Sequence, residues 1–215
     1  MASLTHDDIA RLRSLVGLRL VPVSLLHTVS SAADTAEGTF EATQRWCRRM
    51  AAQGLLTTQS VLATAPTTST PVCEYRLGDA APDFGSVARS LRERATATAP
   101  ERIAVVRLTA SGAALLGELL PRRSRRCEIT HDLRLAHFVF AVRASGDVLR
   151  WTPEEQLARE RAYDHVVPDG ELELTTGERV VVECGGIYSK SKLASFHARV
   201  APQLQRRGAR GYVLV

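Results

Sequence analysis

The chain has 215 residues, 45% of them apolar, which is enough for one large or two small hydrophobic cores and excludes a disordered chain. Its 28 Lys and Arg against 23 Asp and Glu leave a net charge of +5, which favours an anionic partner without identifying one. Cys47, Cys73, Cys127 and Cys184 are far apart and lack C-x-x-C spacing, which argues against a zinc knuckle or a disulfide scaffold and for reduced thiols.

The opening MASLTHDDIARLR carries charges where a secretory leader needs an apolar core. No window approaches the roughly 20 apolar residues of a membrane span. A cytoplasmic protein without membrane contact is therefore expected. Thr5 is a helix start signal, with Asp7 and Asp8 in the first turn, where they suit the positive end of the helix dipole. Ile9, Leu12, Leu15 and Val16 then recur at helical spacing to about Leu18. A second short helix is expected from Pro22, carrying Val23, Leu25 and Leu26, and Ser30 to Gly38 reads as a polar loop.

TFEATQRWCRRMAAQGLL predicts a third helix, with Thr39 as N-cap, Phe40, Thr43, Cys47 and Met50 along one face, and Gly54 closing it. Gln44, Arg45, Arg48 and Arg49 fall on the other face and are the long donors that a recognition helix presents to base edges and phosphates. Thr39 and Thr43 join them as candidate DNA contacts. The apolar run Leu55 to Leu62, the stretch ATAPTTSTP and then VCEYRL read as a β-hairpin wing. Three helices and a hairpin make a winged helix-turn-helix over residues 1–80, in which the third helix reads double-stranded DNA. A solvated charged face, or a winged helix that binds protein, gives the same pattern.

PDFGSVARSLRERA is an amphipathic helix, ATATAP a linker, RIAVVRL a short buried strand and TASGAALLGELL a helix stopped by Pro121. PRRSRR is a basic turn suited to a phosphate backbone or simply solvated. Residues 81–127 thus form a connector. From residue 128 to 215 an α/β domain is expected: ITHDLRLAHFVFAVRAS is helical to Gly146, with Ile129, Leu133, Ala136 and Phe140 on one side, and VLRWTP is a strand.

ELELTTGERVVVE alternates on both sides of a glycine-containing turn, the mark of a β-hairpin. A three-residue turn centred on Thr176 sets Leu172 opposite Val180, Glu173 opposite Arg179 and Asp169 opposite Glu183. Asp169 and Glu183 then share one face at the open end, an arrangement of oxygen ligands that suits Mg²⁺ or Mn²⁺. The plainer alternative makes Pro168-Asp169-Gly170 a turn and Glu183 a helix cap. No organic cofactor is expected. LASFHARVAPQLQRR and GARGYVLV add a helix and a strand, giving a mixed sheet flanked by helices.

The order of LTHDDIARLRSLV, TQRWCRRMAAQGLL, VVRLTASGAALL, THDLRLAHFVFAVR, PDG, VVVEC and SKSKL resembles the replication-relaxation family of mobile-element proteins. That resemblance implies an α+β chain: a winged helix-turn-helix followed by a restriction-endonuclease-like, PD-(D/E)XK-type domain. It makes Asp169 and Glu183 the acidic motif positions and puts Gly185 where the motif has lysine. Lys190 and Lys192 are the only lysines in the chain, and Lys190 is the better candidate to stand in as a catalytic residue beside Asp169 and Glu183. His131, His165, Glu155 and Glu160 are secondary candidates. The functions implied are a DNA-binding accessory protein of plasmid or mobile-element replication and transfer with a degenerate nuclease-like domain, a metal-dependent DNA endonuclease, or a winged-helix transcriptional regulator. A homodimer or a protein partner is compatible with each.

Overall fold

The computed structural model describes residues 3–31 and 40–215, with the side chains of residues 28–31 left aside. In chain order its elements are α1 (His6–Ser14), β1 (Val21–Pro22), α2 (Val23–Ser31), α3 (Phe40–Ala52), β2 (Leu56–Ala63), β3 (Cys73–Arg76), α4 (Phe84–Thr96), β4 (Glu101–Leu108) and α5 (Ala110–Leu116). A 3-10 turn (Arg126–Glu128) leads to α6 (Ile129–Ala144), β5 (Val148–Pro153), α7 (Glu154–Arg159), β6 (Gly170–Leu174), β7 (Arg179–Glu183), α8 (Lys190–Arg207) and β8 (Ala209–Leu214). The chain is therefore α+β, as expected. Among the described residues no helix is long and apolar enough to cross a membrane.

The elements divide into two compact units, each made of two chain segments: Met1–Ala65 with Pro100–Phe140, and Pro66–Ala99 with Ala141–Val215. This differs from a contiguous partition at residues 80 and 127. Residues 81–127 are divided between the units, with β4 and α5 in the first and α4 in the second. The two Thr-, Ala- and Pro-rich stretches, residues 63–71 and 95–100, hold the first two crossings between units.

In the first unit, Thr5 caps α1 with a reciprocal pair: its hydroxyl accepts from the Asp8 N–H at 3.1 Å, and the Asp8 carboxylate accepts from the Thr5 N–H at 2.9 Å. Helix α1 stops at Ser14, short of Leu18, and the chain turns through Gly17 at φ 74°. Helix α3 ends where Gly54 adopts φ 72°, a left-handed conformation that costs glycine little. Strand β4 is the centre of an antiparallel three-stranded sheet ordered β1-β4-β2. Leu20, Val61, Ala63, Val105 and Leu133 form one buried cluster of this unit. Each large apolar side chain among them contributes about 1.5–3 kcal/mol through burial.

The expected wing needs correcting here. Strand β2 does not pair with β3; all eight of its residues pair with β4, from Leu56↔Leu108 to Ala63↔Glu101. Strand β3 pairs instead with β8 in the second unit. The physical reason is ladder length and side-chain content. A β2–β3 hairpin offers at most four pairs, because β3 is four residues long and buries only Tyr75. Strand β4 brings fully buried Val105 and Val106, and Tyr75 finds its partner in Tyr212, stacked at 5.0 Å between ring centroids.

The second unit holds a mixed five-stranded sheet ordered β3-β8-β7-β6-β5, with β7 and β8 parallel and the other pairs antiparallel. Helix α8 crosses between β7 and β8, starting at Ser189, whose hydroxyl accepts from the Lys192 N–H, and ending at Gly208. Its Leu193, Phe196, Val200 and Leu204 enter the core beside Leu91 of α4 and Val181 of β7. The sheet thus recruits β3 and α4 from residues 66–99, so this body does not begin at residue 128.

The β3–β8 pairing is testable at Gly211, which faces Arg76 across the ladder and whose added Cβ would collide with the Tyr75 carbonyl oxygen. Gly211→Ala is expected to lower stability by about 2 kcal/mol in chemical denaturation. A fully tolerated substitution would contradict this pairing.

Candidate functional site

The first candidate surface is helix α3. Its buried stripe is Thr43, Trp46, Cys47 and Met50, at spacings of three and four residues. Thr43 is 2% exposed, so it faces the core and is not available to DNA, contrary to expectation. Phe40, expected in the core, is 42% exposed, and Trp46 occupies the interior in its place. Thr39 lies outside the described residues. Gln44, Arg45, Arg48 and Arg49 are on the outer face, as expected.

Arg49, however, is committed within the fold. Its two terminal nitrogens donate to the two Asp8 oxygens at 3.0 and 2.7 Å. Asp8 is 2% exposed and also accepts the Trp46 indole N–H at 2.9 Å and the Thr5 backbone N–H. One carboxylate thus joins the start of α1 to the middle of α3. Burial works against ionisation of Asp8, but hydrogen bonds from Arg49, Thr5 and Trp46 outweigh it and hold the carboxyl well below its ordinary value of 3.8. Arg49 is therefore a positioning residue of the helix, and Gln44, Arg45 and Arg48 are the donors left to the solvent face. The first-turn position of Asp8 is legible in the sequence as a dipole effect; its long-range partners have no sequence signal.

A second basic surface in the same unit lies in the segment 121–126. Arg122 is tied to Glu128 by bonds of 2.6 and 2.9 Å, whereas Arg123, Arg125 and Arg126 extend along the same segment. His131 also sits in this unit, with its Nδ1 3.2 Å from Asp132, which in turn meets Arg19 at 3.4 Å.

The carboxylate pair belongs to the second unit. The β6–β7 register is the expected one: Leu172 faces Val180, Glu173 faces Arg179 and Gly170 faces Val182. The turn Thr175-Thr176-Gly177 closes it, with Gly177 at φ 83°. Asp169 therefore stands next to Glu183 at the open end. Each is engaged by the chain itself: Asp169 Oδ2 accepts from the Cys184 N–H at 2.7 Å, and Glu183 Oε1 accepts from the Tyr188 hydroxyl at 3.0 Å. Burial first, and then the charges of Glu183 and Asp169, push the Tyr188 phenol well above its ordinary value. Nothing in the sequence marks Tyr188, because a tyrosine two residues past a Gly-Gly pair belongs to no motif.

Gly185 lies in a crowded place. A Cβ there would lie 2.6 and 2.7 Å from the methyl carbons of Leu91, which is 1% exposed, so α4 fills the space that a side chain at this position would need. The two real lysines divide. Lys190 acts on Asp83, the N-cap of α4, whose carboxyl is held down mainly by Ser86 and Gly85. Lys192 places its Nζ 3.5 Å from the centroid of the Tyr188 ring. Lys192 is thus brought to the Tyr188 ring, whose hydroxyl donates to Glu183.

Among the described residues no three His, Cys, Asp or Glu side chains converge as a metal-binding group. The oxygen donors of Asp169 and Glu183 match a hard divalent cation in kind, and each carboxylate also accepts one bond from the chain, at Asp169 Oδ2 and Glu183 Oε1. Glu160 is exposed and takes a bond from Gln156, and His165 is exposed at φ 65°. The alternation in ELEL hides a further carboxylate. Glu171 is 4% exposed and binds the Tyr163 hydroxyl at 2.6 Å and Arg207 at 3.1 and 2.8 Å, a buried knot between β6 and α8.

Removing the charge at position 8 tests the α1–α3 link. Asp8→Asn is expected to cost about 2–3 kcal/mol at neutral pH, reduced from a fully buried pair because Arg49 is half exposed. A carboxyl with a lowered folded pKa stabilises above its unfolded value and loses that contribution as pH falls through and below it. Denaturation curves of the two proteins should therefore converge on acidification below about pH 4. Set against known proteins, the chain matches no family model, no curated protein and no solved structure.

Proposed function

We propose that this chain is a double-stranded-DNA-binding protein whose first unit is a winged helix-turn-helix and whose reading element is α3. The observation that carries the proposal is the division of α3 into an anchored and a presented side. Trp46, Cys47, Met50 and the Asp8–Arg49 pair fix the helix, while Gln44, Arg45 and Arg48 project from it with no carboxylate partner among the described residues. Rigid presentation of long donors is what base-edge and phosphate contacts require. The antiparallel pair β2 and β4 stands in for the wing, with residues 64–100 inserted between its strands. The sequence resemblance suggests the setting, plasmid or mobile-element replication and transfer, with the second unit a nuclease-like body that binds rather than cuts.

Salt-dependent duplex binding tests this. Arg45→Ala with Arg48→Ala is expected to weaken binding and to flatten the dependence of log K on log salt by about 0.9 for each phosphate no longer neutralised. Thr43→Val, on the buried side, should leave the salt slope unchanged. Equal slopes for the double variant and the parent protein would remove α3 as the reading element.

A second reading, a metal-dependent endonuclease, is favoured by one feature, the β6–β7 register that sets Asp169 beside Glu183. Supercoiled plasmid incubated with Mg²⁺ or Mn²⁺ separates the two readings. Binding without nicking is expected from the parent protein, and nicking abolished by Asp169→Asn would establish the endonuclease instead.

A further inference from the structure

Between α1 and α3 lies a cleft of about 410 Å³, within the range of small-ligand sites of roughly 300–1,000 Å³. Arg11 enters it from α1, Arg45 and Arg49 from α3, with Trp46 in its wall and Asp7 and Asp8 at the α1 side. These charges do not simply cancel. Asp8 is consumed by Arg49. The Arg11 guanidinium carbon lies 5.8 Å from the Trp46 ring centroid, a placement that steadies the group without spending its N–H donors on a carboxylate. Neither Arg11 nor Arg45 has a carboxylate partner among the described residues, so two guanidinium forks face one opposing carboxylate, the exposed Asp7.

We infer that this cleft is a binding site for a single phosphate group, held between Arg11 and Arg45. Two forks arriving from different helices suit a tetrahedral oxyanion, which offers acceptors in more than one plane; a planar carboxylate is satisfied by one fork. Asp7 limits the excess to one positive charge, which matches one phosphate group and opposes a polyphosphate. The phosphate group is borne either by a small phosphomonoester or by a nucleic-acid backbone. The inference does not rest on DNA binding, since the site is testable without DNA.

The probe is inorganic phosphate, titrated into the full chain at constant ionic strength. The readout is the indole N–H resonance of Trp46, distinguished from that of Trp151 by Trp151→Phe. A saturable shift is expected with phosphate and not with chloride or acetate. Arg11→Gln and Arg45→Gln should each weaken the apparent affinity by about tenfold. Arg122→Gln, at the Glu128 pair outside the cleft, should leave it unchanged. Thermal melts check that each variant folds, and Arg45→Gln, at an exposed position, decides the matter if Arg11→Gln does not fold. A shift of equal size with chloride or acetate, or an unchanged midpoint in Arg45→Gln, overturns the site. Repeating the titration with a short duplex present assigns the source: competition points to a backbone phosphate, and independent binding to a small phosphomonoester, each with the site intact.

Discussion

The antiparallel ladder between β2 and β4 constrains everything else in this chain. It spends eight consecutive residues of each strand, makes β4 the centre of the first sheet, and closes that sheet across an excursion of residues 64–100. Closing so long a loop costs little more than closing a short one, since the entropic penalty grows only logarithmically with length. The side chains brought together, Val61 and Ala63 with Val105 and Leu133, provide the compensating burial. The excursion is then free to build elsewhere, and β3 and α4 do so in the second sheet and its core.

Sequence is a good guide to this fold where local physics decides. The Thr5 cap, the Gly54 and Gly146 stops, the hairpin register around Thr176 and the apolar face of α8 each depend on a few adjacent residues and their spacing. Partner choice between strands is not legible, because β2 read alone is equally compatible with β3 or β4; only the sum over pairs distinguishes them. The same holds for side chains. Helical spacing puts Thr43 on the buried stripe while its hydroxyl suits a DNA contact, and burial resolves the conflict. Arg49 sits on the solvent side by helical angle, yet its reach brings it to an acid 41 residues earlier in the chain.

Part of the charge among the described residues is used within the fold. Asp8 with Arg49, Glu171 with Arg207, Glu128 with Arg122 and Asp132 with Arg19 are all structural pairs, and in three of them the acid is nearly inaccessible. Breaking such a buried pair by removing one partner is costly, since it strands the other charge. Arginines that remain exposed, such as Arg45 and Arg48, therefore carry information that their abundance alone would hide. At the carboxylate pair the chain likewise bonds to itself: the Cys184 N–H donates to Asp169, the Tyr188 hydroxyl donates to Glu183, and Leu91 fills the space beside Gly185.

The position of β8 between β3 and β7 has a consequence for how the protein is made. A ribosome delivers every strand of the first sheet by residue 108, so that sheet can close while synthesis continues. The second sheet cannot. Its strand β3 emerges early, before β4, yet the neighbour it pairs with is β8, which follows the other strands among the described residues. Until then Tyr75 and the backbone edge of residues 73–76 lack their native cover, leaving a nascent chain with one finished sheet and one exposed strand.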